Sequence, residues 1–281
     1  MKAPSLLGKN VALTGASGGL GRALCEKVLA HGGALTVIDR NEKKQAALIE
    51  ALCAAHPDAK IEGLLADMED LESVKALAQA LSERPIDYLV LNAGAYSIPR
   101  HKTSLGLDNV FCINFVSPYY LTRTLLPQIE ARGGRVIAVG SIAHDYSKSD
   151  ASDEDFSART RASLVYGNAK RHLMAAFFEL AANGASIAVT HPGISFTGIT
   201  AHYPKLIFAL IRYPMKLIFM KPEKAALSIF EGLFTPTAAG EWIGPRLFNV
   251  WGKPKKQKVK TIPPDEQKRL AEYADELYKK L

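Results

Sequence analysis

The chain has 281 residues, 48% of them hydrophobic, and a formal net charge of +7. That length buries a large core, and with no low-complexity segment it excludes a disordered or fibrous protein. The charge is local: Lys253–Lys260 carries five positive residues and Lys205–Lys221 four with no acid, leaving the remainder near neutral. No recognition motif accompanies either stretch, so nucleic-acid binding is excluded and Lys253–Lys260 is expected to be a solvated flank.

Residues 1–10 are brief and partly polar, unlike a signal peptide, and a cytoplasmic protein is expected. The apolar run Val11–Leu13 opens the first predicted strand. It is followed by Thr14-Gly-Ala-Ser-Gly-Gly-Leu-Gly21 and by the helix-like segment Arg22–Ala30. Strand, glycine turn and helix in succession are the context a dinucleotide-binding fingerprint requires. Gly15 allows the tight turn, Gly19 lets the backbone approach a pyrophosphate, and Gly21 lets the helix pack closely. The helix N-terminus then faces the anion. Expected cofactor contacts here are Thr14, Gly15, Ser17, Gly18, Gly19, Leu20 and Gly21.

The next apolar run ends at Asp39, about 20 residues on, where a carboxylate hydrogen-bonds a ribose 2′-hydroxyl and repels a 2′-phosphate. Asp39 therefore predicts NAD ahead of NADP, although the adjacent Arg40 could accommodate a 2′-phosphate. Further apolar runs at 61–65, 86–91, 135–139 and 186–190, with a last strand near 240–243, alternate with helix-length segments. This is the pattern of an α/β protein, a doubly wound parallel sheet (Rossmann fold) covered on both faces.

Cys25, Cys53 and Cys112 are odd in number, lack Cys-x-x-Cys spacing and are expected as reduced core thiols. The seven histidines form no His-x-x-x-His pair, and no metal site is expected. His191 is expected to line a pocket without transferring protons; His144 and Tyr203 are candidate substrate contacts.

Tyr166 and Lys170 stand four apart, so one helical turn puts phenol and ammonium on the same face. A phenol with its usual pKa of about 10 is a poor base at neutral pH, and a neighbouring cation favours the phenolate. A lowering by ~2 units takes ~2.7 kcal/mol, within reach of one ammonium and a cationic cofactor ring in a partly dry pocket. Such a pair can move a proton on or off an alcohol. Toward the C-terminus, Pro264-Asp-Glu opens a helix with Leu270, Tyr273, Ala274, Leu277, Tyr278 and Leu281 on one stripe. The stripe must pack on its own domain, a partner subunit or a membrane.

With these residues in place, residues 8 to 250 resemble the short-chain dehydrogenase/reductase family in its common single-domain branch. Thr14–Gly21 matches its glycine motif. The resemblance implies that Asp67, with Met68, contacts adenine. Asn92-Ala93-Gly94 matches most of an Asn-Asn-Ala-Gly signature, whose first Asn is here Leu91; that departure touches a sheet-supporting contact. Asn114, Ser141, Tyr166 and Lys170 fall where the family places its catalytic tetrad. Tyr166 is then the general acid/base, Ser141 binds the substrate oxygen, Lys170 lowers the tyrosine pKa and binds ribose, and Asn114 anchors a water. Pro192, Gly193, Ile194 and Thr197 fall where the nicotinamide carboxamide is held. Between Ser141 and Tyr166 lie 24 residues, a lengthened loop expected to border the pocket mouth and similar to the retinol dehydrogenase and steroid or lipid-alcohol dehydrogenase group.

The resemblance implies a nucleotide-binding domain at 1–250 that includes a substrate lid at about 194–221, followed by a basic segment and amphipathic helix at 251–281. The lid sequence is interrupted by Arg212, Pro214 and Lys216 and is too short and charged to span a bilayer. Packing on the pocket is its first reading, contact with an anionic membrane the second. The expected function is hydride transfer between NAD(H) and a bulky apolar alcohol or ketone. The alternatives are an NADPH-dependent 3-oxoacyl-carrier-protein-type ketoreductase and a non-catalytic NAD(H)-sensing interaction protein. The expected partner is a hydrophobic small molecule, with a homo-oligomer left open.

Overall fold

A computed structural model describes residues 5–193 and 220–281. The expected strands form at β1 (Asn10–Thr14), β2 (Ala34–Asp39), β3 (Ile61–Leu65), β4 (Tyr88–Leu91), β5 (Arg135–Val139), β6 (Ile187–Thr190) and β7 (Glu241–Leu247), and an eighth, β8, spans Trp251–Lys258. They make one sheet in the order β3-β2-β1-β4-β5-β6-β7-β8. All pairings are parallel except β7 with β8. The chain moves outward from β1 to β3 and returns to β4, so the order reverses between β1 and β4, where open α/β sheets bind ligands beyond the strands' carboxyl ends.

Helices cover both faces. They are α1 (Gly19–Ala30), α2 (Glu42–Ala55), α3 (Leu71–Ser82), α4 (Asn109–Phe111), α5 (Ser117–Ala131), α6 (Ala162–Ala182), α7 (Pro222–Gly232) and α8 (Pro264–Lys280). Alternate strand residues supply the two cores: Val11, Leu13, Val37, Val90, Ile137 and Ala188 pack beneath α1, α2 and α7. Ala12, Leu89, Leu91, Val136, Ala138 and Val189 pack beneath α3, α5, α6 and α8. The near-continuous apolar runs thus serve a sheet buried on both sides.

The basic run is not a free flank. Its backbone pairs along β7, from Glu241↔Lys258 to Leu247↔Trp251, while Lys253, Lys255, Lys256 and Lys258 stay exposed. Lysines and Pro254 on the last strand are what an edge needs to discourage pairing with another chain. The terminal helix docks on its own domain: Leu270 and Ala274 are buried, and Tyr273, Leu277, Tyr278 and Leu281 pack against the larger core. Among the described residues no helix is long and apolar enough to cross a membrane.

Cys25 and Cys112 are buried, as expected, but Cys53 is exposed on α2. It falls outside the helix stripe formed by Gln45, Leu48 and Leu52. Burial pushes the Cys112 thiol up to about 11, which keeps it protonated and inert.

Candidate active site

Every turn at the carboxyl end of β1 to β6 opens on one cleft of about 670 Å3, a volume typical of small-molecule sites. Gly15, Ser17, Gly18, Leu20, Gly21, Asp39, Arg40, Asp67, Met68, Asn92, Ala93, Gly94, Ser141, Tyr166, Lys170, Pro192 and Gly193 line it. Ile194, Thr197, Tyr203 and the expected lid before Met220 lie outside the described residues.

The glycine turn is tight for steric reasons. Gly15 has φ 67°, and a Cβ there would lie 2.9 Å from Ala93 Cα. On Gly21 a Cβ would sit 2.3 Å from Gly15 O, so the first turn of α1 closes onto the loop itself. Asn92 ties this loop to β4: its Nδ2 donates to Thr14 O (3.0 Å) and Gly15 O (3.1 Å). Thr14 Oγ1 in turn accepts from the Asn92 and Ala93 amides at 3.1 and 3.0 Å. Leu91, where the family signature has Asn, is simply buried core; the Thr14–Asn92 bonds hold the two strand ends together.

Asp39 is 6% exposed and accepts from Ser17 N at 3.0 Å and Ser17 Oγ at 2.8 Å. Burial raises its pKa, opposed by the Ser17 bonds and Lys44. Each carboxylate oxygen retains acceptor capacity beyond Ser17. Arg40 is well exposed, 4.0 Å from Asp67 Oδ2.

At the other end of the cleft, Ser141 lies two residues past β5 and caps a short 3-10 turn (Ile142–Tyr146), and α6 carries Tyr166 and Lys170. The close fit of α6 depends on Gly167, where a Cβ would meet Ala143 O at 2.4 Å. Lys170 Nζ donates to Val139 O at 2.9 Å and lies 5.8 Å from the Tyr166 ring centroid. Burial pulls Lys170 down to about 7. Burial also pushes Tyr166 up to about 12, the Ser141 hydrogen bond opposing and the Tyr146 and Tyr96 phenols adding to the rise. The expected lowering of the phenol is therefore absent from the chain alone, because desolvation outweighs the hydroxyl and the ammonium has itself lost much of its charge at neutral pH.

Asn114 lies just behind this wall, in a π-helical stretch (Cys112–Val116) between α4 and α5. Its Nδ2 donates to Ala95 O (2.9 Å) and Val110 O (2.8 Å), while its Oδ1 is buried without a partner among the described residues. A Cβ on Gly94 would meet that Oδ1 at 2.8 Å and Lys170 Nζ at 3.8 Å. A free acceptor, a bare glycine and an ammonium thus share one corner, and with the tight glycine turn they fit a dinucleotide.

His144, a candidate substrate contact from sequence, turns away from the cleft. It is 2% exposed, Nδ1 donating to Ser141 O at 2.6 Å and Nε2 lying 2.8 Å from Thr261 Oγ1. Its helical turn aims the imidazole at Trp242 instead. His191 lines the cleft, stacked on Trp242 at 4.8 Å, and donates from Nε2 to Asn249 O at 2.9 Å. Burial lowers it to about 4, so it stays neutral and donates no proton at physiological pH. Wall residues that sequence reasoning missed include Tyr96, Tyr146, Ile113 and Ile142. Tyr96, two residues beyond Gly94 and edge-on to Tyr166 at 5.4 Å, was the one with a signal, its closeness to the Asn-Ala-Gly loop. Of the long loop, Tyr146 reaches the cleft, while Ser149 and Glu154 are held by Glu266 and Arg269 of α8.

A family profile described as "short chain dehydrogenase" matches residues 9–152. Mouse "Retinol dehydrogenase 14" is 32% identical over 248 residues, covering 81% of this chain and 74% of that protein. Mouse "Polyprenol dehydrogenase" is 28% identical over 253 residues, covering 84% and 75%. Among solved structures, an uncharacterised protein from Mycobacterium paratuberculosis superposes with TM-score 0.75 at 23% identity, covering 99% and 96% of the two chains. A 3-oxoacyl-(acyl-carrier-protein) reductase from Agrobacterium tumefaciens with NADP bound gives 0.62 at 22%, covering 84% and 90%; at such identities both show the shared fold. The chain belongs to the short-chain dehydrogenase family, in its retinol dehydrogenase-like group, and is an NAD(P)-dependent dehydrogenase or reductase.

Proposed function

We propose that the protein interconverts a bulky apolar alcohol and its carbonyl compound with NAD(H). The observation that carries this reading is one cleft with Asp39 at one end and Tyr166, Ser141 and Lys170 at the other. The glycine turn and α1 N-terminus would take the pyrophosphate, Asp39 the ribose hydroxyls, Asp67 and Met68 the adenine, and Pro192 and Gly193 the carboxamide side together with Ile194 and Thr197. The nicotinamide supplies or accepts the hydride when bound.

In oxidation the Tyr166 phenolate takes the alcohol proton; in reduction the phenol returns it. Ser141, which lines the cleft with the phenol, holds the substrate oxygen. Lys170, in its protonated form, holds ribose and stabilises the phenolate. The unpartnered Asn114 Oδ1 anchors a water that passes protons between Lys170 and solvent. Residues 1–250 with the lid form the reacting unit, and 251–281 brace it.

Cofactor choice rests on Asp39. NADH is expected to give the higher kcat/KM, and Asp39→Ser to lower NADH-over-NADPH discrimination by roughly ten- to a hundredfold, since it removes the like charge facing a 2′-phosphate. Titrating both nucleotides by fluorescence quenching checks this; wild type that binds NADPH more tightly refutes the assignment.

An apolar substrate is supported by Ile113, Ile142, Tyr96 and Tyr146 on the wall and by relatives named for retinol and polyprenol dehydrogenation. NADH turnover with retinal, steroid ketones and short polar ketones is the test. Hydrophobic compounds are expected to give the higher kcat/KM, and the reverse order would defeat this substrate class.

A further inference from the structure

The hairpin joining β7 to β8 ends in an exposed apolar tip: Leu247 is 53% and Phe248 87% exposed. Val250 N donates to Leu247 O at 2.9 Å, closing a turn in which Phe248 and Asn249 have φ of 52° and 57°. Two successive left-handed residues are the signature of a type I′ hairpin turn, which favours Asn, Asp or Gly. Asn249 conforms. Phe248 does not: a bulky aromatic residue in left-handed backbone is an outlier, and its ring reaches solvent instead of the core. A side chain that is 87% exposed on a backbone conformation unfavourable to it sets Phe248 apart from an ordinary scattered surface residue.

The surroundings of the tip are cationic. Arg246 and Lys253 border it, and Lys255, Lys256 and Lys258 continue along the exposed edge. Among the described residues, the carboxylate paired with this set is Glu241, 3.9 Å from Lys256 toward the far end of the hairpin. The tip also adjoins the cleft. Asn249 O accepts from His191, and a Cβ on Gly193 would lie 2.7 Å from Val250 O; His191 and Gly193 both line the cleft.

We infer that this hairpin docks on an anionic lipid surface, with Phe248 and Leu247 entering the headgroup boundary while Arg246, Lys253 and Lys255 meet lipid phosphates and carboxylates. Apolar side chains flanked by basic ones are the composition that binds such interfaces. A stable protein interface buries about 800 Å² per partner and is depleted in lysine, which two apolar side chains on a lysine-bearing strand do not resemble. Docking would bring the cleft to the surface where a lipid-soluble substrate is dissolved; that consequence rests on the function proposed above, whereas the docking itself does not.

The test is co-sedimentation of the full chain with phosphatidylcholine vesicles, with and without phosphatidylserine, at low and high salt. Binding is expected with phosphatidylserine, weakening as salt rises. Phe248→Asn, which suits the turn better and so preserves the fold, is expected to lower vesicle affinity about tenfold. Lys253→Glu with Lys255→Glu is expected to remove the phosphatidylserine dependence. In Phe248→Asn, turnover of a water-soluble ketone stays at the wild-type rate, while turnover of a ketone dissolved in the vesicles falls. Wild type that ignores anionic vesicles, or Phe248→Asn that binds them as tightly, overturns the inference. So does an oligomer that Phe248→Asn dissociates without any vesicle binding, which would assign the tip to a second copy of the chain. Failure to turn over any ketone would defeat the functional reading and leave the sedimentation result standing.

Discussion

Replacing Tyr166 by Phe is expected to lower kcat by about 10²–10⁴-fold with little change in NADH affinity, because it removes one phenolic oxygen that transfers a proton and leaves the ring packing in place. The pH dependence carries a sign. Oxidation needs the phenolate, and burial holds the phenol at about 12, so oxidation rises with pH above neutrality. Reduction needs the phenol and does not share that rise. Lys170, held at about 7 by burial, is charged below that value. Bound cofactor brings a second positive centre in the oxidised state, so the apparent value in the ternary complex is expected below 12. Stopped-flow NADH formation against pH, in wild type and variant, reads both effects. Tight NADH binding by the wild type without turnover of any alcohol or ketone would favour a non-catalytic NAD(H) sensor, whereas wild-type turnover retained by Tyr166→Phe would remove Tyr166 from the proton transfer.

The largest stability loss is expected from Glu266→Ala, remote from the reacting atoms. Arg171 follows Lys170 on α6, and its side chain is 5% exposed. Its Nε and Nη2 donate to Glu266 at 2.7 and 2.5 Å, its Nη1 to His144 O at 3.1 Å, and Nη2 also to Thr261 O at 2.7 Å. Removing the carboxylate leaves a buried guanidinium uncompensated, a cost of about 3–5 kcal/mol, or a Tm fall of roughly 10 °C for a chain of this size. Glu266→Gln keeps an acceptor and is expected to lose less.

Acid titration gives the same contact an independent signature. Burial works to raise the Glu266 pKa, but the Arg171 and Ser149 hydrogen bonds outweigh it and hold the carboxyl at about 2. A carboxyl lowered on folding stabilises the native state above its unfolded pKa, and that contribution is lost as pH falls toward the folded value. The Tm gap between wild type and Glu266→Ala is therefore expected to be full at pH 7 and to narrow from about pH 4.5 toward pH 2. A gap that stays constant down to pH 3 would show that the ion pair is not its source.

Much of the site could be read from local order. Thr14–Gly21 between an apolar run and a helix, Asp39 at the end of the next run, and Tyr166 with Lys170 one helical turn apart are short-range patterns, and backbone sterics and helical periodicity turn each into a defined local geometry. The parallel sheet followed from apolar runs spaced by helix-length segments, because a crossover between parallel strands must cover a buried face.

The remainder depended on partners distant in sequence. Lys253–Lys260 has the composition of a solvated flank, and only the unpaired edge of β7 makes it a strand. The terminal stripe from Leu270 to Leu281 announced that something must cover it, yet its choice of α5 and α6 required Arg171, Glu154 and Asp275 to converge there. His144 was drawn from the cleft by Thr261, more than a hundred residues away, and the Tyr166 pKa was raised by desolvation, which exists only once the walls have closed around it. Spacing along the chain accounts for which chemical groups are present, for their local geometry and for the βα alternation. Tertiary structure alone decided burial, the protonation balance of Tyr166 and Lys170, and the docking of the last thirty residues, because each depends on what the rest of the chain brings into contact.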